Sequence, residues 1–352
     1  MQLTVTPDNP LEWLALRTNQ VPIPLLHAQI MPVIAKAVLE AADRGVFEAI
    51  GETRQSAAQV AATCNLHEKA VGELLGLLTA LGYTEFADGQ FALTPMARRW
   101  VLQQNPESTF GMLRFNNQLM WHWLDHMGTY LETGVGLHYH DTLDARQWDI
   151  YQRGMVAATA TEAREFGRRA PISKAIAGRT DARMLDIGGS HGQHSAALCK
   201  RISGLRSTIL DLPDAVAQAA PLLAQLNMGD RIRHQTGNIL TDEIGEELFD
   251  IVLMSSLAHH FSDAQNRDVA RKVARALRPG GIYIVNEFIR PETGAKPELV
   301  GSSTDLFYGM TSTAGNYSVA EIQGWFTDAG LKPVKTVGYL TMPGRMQVVA
   351  KK

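Results

Sequence analysis

The chain contains 352 residues, of which 45% are hydrophobic and 20% are charged, and its formal net charge is −3. This length predicts two domains, because a single core usually serves about 100–200 residues. The small net charge excludes an overall attraction to nucleic acid or to an anionic membrane surface. The first thirty residues show no signal pattern, and no apolar run approaches the roughly 20 residues that cross a bilayer, so we expect a cytoplasmic protein without a membrane partner. The two cysteines, Cys64 and Cys199, exclude a disulfide framework and favour small core positions.

Helical periodicity dominates residues 1–175, which are predicted to form the first domain. Within them, SAAQVAATCNLHEKAVGELLGLLTALGYTEFADGQFALTP predicts a short helix, a turn, a longer helix and two strands joined at Asp88 and Gly89. This order is that of a winged helix-turn-helix. Its second helix, HEKAVGELLGLL, has one lysine against two glutamates, whereas a DNA-reading helix needs donors to bases and phosphates. We therefore expect the dimerisation module of a homodimer and no nucleic-acid partner.

From about Asp181 the pattern changes to alternating strands and helices, which predicts an α/β fold over residues 176–352. Short runs rich in Ile, Val and Leu predict five strands: ARMLDIG, RSTILDL, RIRHQT, FDIVLMSS and GGIYIVNEF. Helical stretches such as HGQHSAALCKRI and DVARKVARAL separate them, as in a doubly wound, mostly parallel, Rossmann-like sheet. The tail adds two strands joined tightly at Pro343 and Gly344, so a seven-stranded sheet with an antiparallel last strand is expected.

A glycine-containing loop, LDIGGSHGQ, follows the first of these strands and precedes a helix. Glycines let the backbone approach a ligand closely, and the start of a helix offers free N–H groups to an anionic group. Taken alone this signal is weak, since dinucleotide sites have a similar loop and a tight turn also needs glycine.

Two further strand ends sharpen the prediction. Asp211 lies nineteen residues after Gly192 at the end of the second strand, where a carboxylate can accept both hydroxyls of a ribose. Asn238 and Ile239 follow the third strand and are expected to contact an adenine through an amide and an apolar face. Three successive strand ends therefore point at one nucleoside.

The motifs LDIGGSHG, LDLP, GNI, MSSLAHHFSD and LRPGGIYIVNE together resemble those of the S-adenosylmethionine-dependent O-methyltransferases. This family includes plant phenolic, hydroxyindole and bacterial polyketide O-methyltransferases, and the resemblance covers nearly the whole chain. It implies a class I methyltransferase domain and a winged-helix dimerisation domain that also contributes to the acceptor pocket. It also implies S-adenosylmethionine as cofactor and, as acceptor, a hydroxyl on a small secondary metabolite that is expected to be aromatic.

The resemblance also implies which residues bind the cofactor. Two of them depart from the family pattern, which usually has glycine where Ser190 stands and aspartate where Asn238 stands. A small serine and an amide oxygen can still serve there. The implied cofactor-binding residues are Asp186, Gly188, Gly189, Ser190, Asp211, Leu212, Asn238, Ile239 and Ser255.

In the family a histidine after the fourth strand is the general base, and this register selects His259, with His260 where aspartate is usual. Methyl transfer to oxygen needs a deprotonated acceptor, and an imidazole is well matched to remove that proton near neutral pH. Glu287 and Asp305 are the expected orienting carboxylates, although Asp305 also suits an ordinary helical position. No metal is required.

The acceptor is expected to contact residues from several helices: Trp121, His122, Met155, His260 and Asn316. A metal is the competing interpretation for the histidines of HWLDH and HYHD, and His260 also suits a purely structural place.

Three other functions stay open. The first is C-methylation of a 2-oxo acid, with a metal held by His259, His260 and Asp305 to stabilise an enolate. The second is a winged-helix DNA-binding regulator. The third is a family member that keeps the cofactor but has lost methyl transfer.

Overall fold

The computed structural model describes residues 5–172 and 176–352, with Thr161 described only in its backbone. Two compact units divide the chain. Unit 1 comprises Met1–Trp121 and Arg153–Ala158, and unit 2 comprises His122–Gln152 and Thr159–Lys352. This division differs from the expected one at residue 175, because the segments around residues 122–152 and 159–172 group with the sheet. The expected boundary itself, around Ser173, lies outside the described residues.

Sixteen α-helices and nine strands occur in the described residues. The helices are α1 (Pro10–Arg17), α2 (Ile23–Leu25), α3 (Met31–Asp43), α4 (Val46–Ile50), α5 (Ala57–Cys64), α6 (Glu68–Ala80), α7 (Pro95–Val101), α8 (Phe110–Phe115), α9 (Trp121–Trp123), α10 (Met127–Thr133), α11 (Ala145–Arg169), α12 (Gln193–Arg201), α13 (Pro213–Gln225), α14 (Asp263–Ala276), α15 (Leu299–Thr311) and α16 (Val319–Asp328). The strands are β1 (Thr84–Ala87), β2 (Gln90–Leu93), β3 (Arg183–Ile187), β4 (Arg206–Asp211), β5 (Ile232–Thr236), β6 (Phe249–Ser255), β7 (Leu277–Phe288), β8 (Lys332–Gly338) and β9 (Arg345–Lys351).

Unit 1 contains the predicted order of two helices and a hairpin. A capping box between Ser56 and Gln59 begins α5, and α6 buries its leucine face in the core of the unit. Strands β1 and β2 pair antiparallel, and Asp88 and Gly89 both adopt positive φ, at 53° and 74°. Two left-handed residues in succession form the tight turn that matches the twist of a hairpin, and this is why Asp-Gly stands there.

One helical run in unit 1, Ile23–Asp43, is 21 residues long and apolar enough by length and composition to cross a membrane. Only 22% of its apolar window is buried within the chain. This differs from the expectation that no apolar run approaches such a length. Core helices of globular proteins have the same composition, so the run does not by itself place the chain in a membrane.

Unit 2 is built on the predicted seven-stranded sheet, with strand order β5-β4-β3-β6-β7-β9-β8. The neighbouring strands from β5 to β7 pair in parallel, whereas β9 is antiparallel to both β7 and β8. Alternate side chains of each central strand enter opposite faces of the sheet. In β6, Val252 and Met254 belong to one buried cluster and Ile251 and Leu253 to the other, so apolar residues cover both faces.

The order of the strands reverses between β3 and β6. The chain moves outward from β3 through β4 to β5 on one side, and from β6 to β7 on the other. A crevice opens at the carboxyl ends of strands where such a reversal occurs, and ligands bind there in open α/β sheets. The candidate residues that follow β3, β4, β5 and β6 are therefore brought to one edge.

Candidate active site

The loop after β3 packs closely against neighbouring side chains at two of its glycines. Gly188 adopts φ 67°, and a Cβ at this position would lie 2.8 Å from a methyl carbon of Leu257. A Cβ at Gly189 would lie 2.4 Å from Cγ of Asp186. Glycine at these two positions therefore lets the loop pack against Leu257 and Asp186, and its contact with a ligand stays a prediction.

Asp186, near the end of β3, packs against this loop. Its side chain is fully buried, and Oδ2 accepts a hydrogen bond from Ser195 Oγ at 2.6 Å. Burial raises the pKa of this carboxyl. Asp186 therefore contacts the loop from a buried position, where its carboxyl group lies close to Gly189.

Asp211 ends β4 and is tied to the same loop. Its Oδ2 accepts the N–H of Ser190 at 3.0 Å, and its Oδ1 accepts the N–H of Leu212 at 2.9 Å. Burial raises the pKa of Asp211, and the two backbone donors oppose this shift. Each carboxylate oxygen of Asp211 can still accept a hydrogen bond from a hydroxyl group. The neighbouring side chain of Leu212 is 50% exposed.

Asn238 and Ile239, which follow β5, differ in the polar and apolar surface that they leave available for the predicted adenine. Asn238 Oδ1 already accepts the N–H of Leu240 at 3.0 Å, which closes a local turn and leaves the amide nitrogen available. Ile239 is only 5% exposed, because it packs in the core beside Leu210. The expected apolar contact of Ile239 with an adenine is thus limited to a small area, whereas the exposed Leu212 offers more.

His259 follows β6 in the helical turn Ala258–His260 and is 2% exposed. Its Nδ1 lies 3.2 Å from Oε2 of Glu287, a residue of β7 that is fully buried. The two atoms form no hydrogen bond at this geometry, so the contact is an ion pair only when the imidazole is protonated. The ring of Tyr308, from α15, stacks on the imidazole with centroids 3.8 Å apart. Of the two expected orienting carboxylates, Glu287 is the one that faces the histidine.

Asp305 occupies a different place. Its Oδ1 accepts the N–H of Asn316 at 3.0 Å, and among the described side chains it forms neither a hydrogen bond nor an ion pair with His259. Asn316 is 3% exposed; its Nδ2 donates to Thr304 Oγ1, while its Oδ1 has no hydrogen-bond partner among the residues that the structure describes. Asp305 therefore holds the turn before α16, and it lies one helical turn before Tyr308 on α15.

A group of rings, the ring cluster, lies beside His259. Its imidazoles are close to one another: His260 is 4.2 Å from His259 and 4.7 Å from His140, measured between centroids. His140 stacks on Trp148 at 5.4 Å with nearly parallel planes. The members of the ring cluster are Trp123, Tyr139, His140, Trp148, Tyr151 and His260.

The two imidazoles of the ring cluster are held neutral. Burial, reinforced by the nearby His259, lowers the pKa of His140 to about 4. Burial and the neighbouring imidazoles of His259 and His140 keep the pKa of His260 well below its usual value. At neutral pH the ring cluster therefore presents uncharged aromatic and imidazole surfaces.

A family model described as the O-methyltransferase domain matches residues 134–332, more than half of the chain. The chain belongs to the O-methyltransferase family. Over 317 residues it is 25% identical to 3-hydroxy-5-methyl-1-naphthoate 3-O-methyltransferase of Streptomyces sahachiroi, covering 88% of this chain and 89% of that protein. It is also 25% identical over 323 residues to O-demethylpuromycin-O-methyltransferase of Streptomyces alboniger, covering 88% and 83%. The fold is similar to that of human N-acetylserotonin methyltransferase in complex with SAM, with TM-score 0.82, 16% identity and 99% of each chain covered.

These findings confirm the resemblance that the motifs indicated, and S-adenosylmethionine is the cofactor of this methyltransferase family. The predicted Rossmann-like fold with a mostly parallel seven-stranded sheet is confirmed as well. The residues assigned to the cofactor and to catalysis stay predictions.

The acceptor contacts expected of Trp121, His122 and Met155 stay predictions. His122 is exposed, while the next residue, Trp123, is buried and stacks on Tyr139 at 4.2 Å. Successive helical residues point about 100° apart, so only one of the pair can face the ring cluster. Trp121 and Met155 belong to unit 1.

In the described parts of the chain, no group of three or more His, Cys, Asp or Glu side chains could hold a metal ion. The metal interpretation of the histidines therefore has no ligand set to support it there. In the HWLDH segment, His126 Nε2 instead lies 3.0 Å from the carbonyl oxygen of Val135.

Sequence reasoning missed a buried polar network under the site. Glu162 of α11 is 2% exposed, and its Oε1 lies 3.1 Å from His194 Nε2, 2.7 Å from Asn286 Nδ2 and 3.4 Å from Arg345 Nε. Arg345 Nη2 also donates to Ser255 Oγ at 2.9 Å. Ser255 therefore bonds to this network rather than standing free at the end of β6. The sequence signal for this network was the presence of Arg345 and Gln347 within the apolar tail, because polar residues in a buried strand need hydrogen-bond partners.

Proposed function

We propose that this O-methyltransferase acts on a hydroxyl of a small aromatic metabolite and that His259 is its general base. The observation that carries the proposal is the placement of a buried histidine between a buried carboxylate and a stacked tyrosine, at the crevice of the sheet. The name of the Streptomyces relative, a naphthoate 3-O-methyltransferase, supports an aromatic acceptor.

The residues present fit the cofactor. The bare backbone of Gly188 and Gly189 would line its methionine end, and the Asp211 carboxylate would accept the ribose hydroxyls. Leu212 and Asn238 would contact the adenine. When bound, S-adenosylmethionine supplies an electrophilic methyl group on a sulfonium.

His259 removes the proton from the acceptor hydroxyl. Because Nδ1 faces Glu287, Nε2 is the nitrogen left to accept that proton. The carboxylate of Glu287 then stabilises the imidazolium that forms, and stacking on Tyr308 keeps the ring in place. The neutral ring cluster forms an uncharged wall that suits a planar aromatic acceptor.

His259→Asn tests this assignment. Transfer to a phenolic acceptor such as a hydroxynaphthoate should fall by ~10²-fold or more, with partial recovery at high pH as the acceptor ionises unaided. Affinity for S-adenosylhomocysteine, measured by calorimetry, should change little. His260→Asn is the matched control and should cost much less. The opposite ranking of the two variants would contradict the assignment.

A further inference from the structure

The hydroxyl of Ser190 bonds to a helix that no cofactor assignment includes. Ser190 Oγ donates to Oε1 of Gln152 at 2.6 Å, and Gln152, on α11, is only 3% exposed. Both residues lie in unit 2.

Ser190 is held in an unfavourable backbone conformation. Its φ of 45° lies in the left-handed region, which disfavours any residue with a Cβ. Three contacts hold it there: its N–H donates to Asp211, its carbonyl oxygen lies 2.7 Å from His234 Nε2, and its hydroxyl donates to Gln152. Strain that is held by surrounding contacts is typical of functional loops.

Gln152 directly follows a member of the ring cluster. Tyr151 lies 5.3 Å from His140 between centroids, and Trp148, one turn earlier on α11, stacks on the same imidazole. The short stretch from Trp148 to Gln152 therefore contacts the ring cluster at one end and the loop after β3 at the other.

We propose that the hydrogen bond between Ser190 and Gln152 couples the two halves of the site. Cofactor bound against the loop fixes Ser190, Ser190 fixes Gln152, and the adjoining turn of α11 holds Trp148 and Tyr151 in place for the acceptor. Ser190 and Gln152 are thus positioning residues, and ligands that order a shared element bind with positive cooperativity. This inference rests on the proposed cofactor site.

The experiment measures amide hydrogen exchange of the full chain with and without S-adenosylhomocysteine. In the wild type, the ligand should slow exchange both in residues 187–193 and in residues 139–152. In Ser190→Ala and in Gln152→Leu, the loop should still respond but residues 139–152 should not. Affinity for S-adenosylhomocysteine should fall about 5–10-fold in each variant, the usual effect of one lost hydrogen bond, and no further in the double variant.

Thr341→Ala is the matched control, because Thr341 Oγ1 also donates to a side chain of α11, Glu165 Oε2, at 2.6 Å. It should leave the response of residues 139–152 intact. Ser190→Gly, which relieves the left-handed backbone, replaces Ser190→Ala if that variant does not fold. The inference is overturned if residues 139–152 respond in both single variants, if the two affinity losses add, or if Thr341→Ala has the same effect. If the ligand fails to slow residues 187–193 of the wild type, the proposed cofactor site fails first.

Discussion

Asp211 carries a prediction about cofactor affinity. Its carboxylate sits at the end of β4 with both oxygens already oriented by backbone donors, so replacement by alanine removes a prepared acceptor. Asp211→Ala should weaken binding of S-adenosylhomocysteine by roughly 1.5–3 kcal/mol for each hydroxyl bond lost. Calorimetry measures this, with the exposed Asp214 replaced by alanine as control. Equal affinities of the two folded variants would remove Asp211 from the cofactor site.

His140 carries a prediction about stability and pH. Its pKa is lowered to about 4 in the folded chain, so the unfolded chain, with a pKa near ~6.5, binds the proton at higher pH. Stability should therefore be unaffected by this group above about pH 6.5 and should fall as the pH drops toward 4, by up to about 3 kcal/mol. Urea denaturation of the wild type and of His140→Phe, at pH 4.5 and 7.5, measures the difference. We expect a smaller loss in the variant; identical losses would show that the imidazole of His140 is not held neutral.

At the scale of elements, α11 and β9 are joined by a buried ion pair. Arg345→Met should leave the buried carboxylate of Glu162 with only the imidazole of His194 beside it, and removing the permanently charged partner of such a pair costs up to about 3–5 kcal/mol. Arg278→Met is the control, because its buried partner Asp250 keeps a second cation, Arg179. The free energy of unfolding in urea should fall more for Arg345→Met. A smaller loss than in the control would mean that Glu162 does not depend on this guanidinium.

At the scale of the whole molecule, exposed apolar side chains in the N-terminal helices predict a dimer. Leu11 is 79% exposed, Trp13 51% and Leu14 50%, and all three lie on α1. Clusters of this kind mark interaction surfaces, and a second copy of the chain is the partner that the family resemblance implies. Trp13→Glu with Leu14→Glu should shift the chain toward a monomer in light scattering. Binding of the wild type to lipid vesicles in flotation, with a monomer in solution, would indicate a membrane surface instead.

A truncated chain beginning near Ser173 would not test this interface. It would remove α11, which supplies Gln152 and Glu162 to unit 2, so the remaining sheet would lose buried partners as well as the N-terminal helices. Point substitutions on α1 avoid this difficulty.

The sequence by itself determined the sheet, its antiparallel last strand and the glycine loop, and the family resemblance implied His259 with two candidate carboxylates, of which the structure places Glu287 beside the imidazole. The sheet and the loop depend on local patterns: short apolar runs separated by helical stretches, a tight turn at a strand end, and the rule that parallel strands meet at their carboxyl ends. Only the tertiary structure decided which surfaces those residues face. Asp305 bonds to Asn316 rather than to His259, His122 points outward while Trp123 points in, and Glu162 and Gln152 reach the site from α11. Contacts between residues far apart in sequence depend on how helices pack on the sheet, and a one-residue rotation on a helix changes which side chain faces inward.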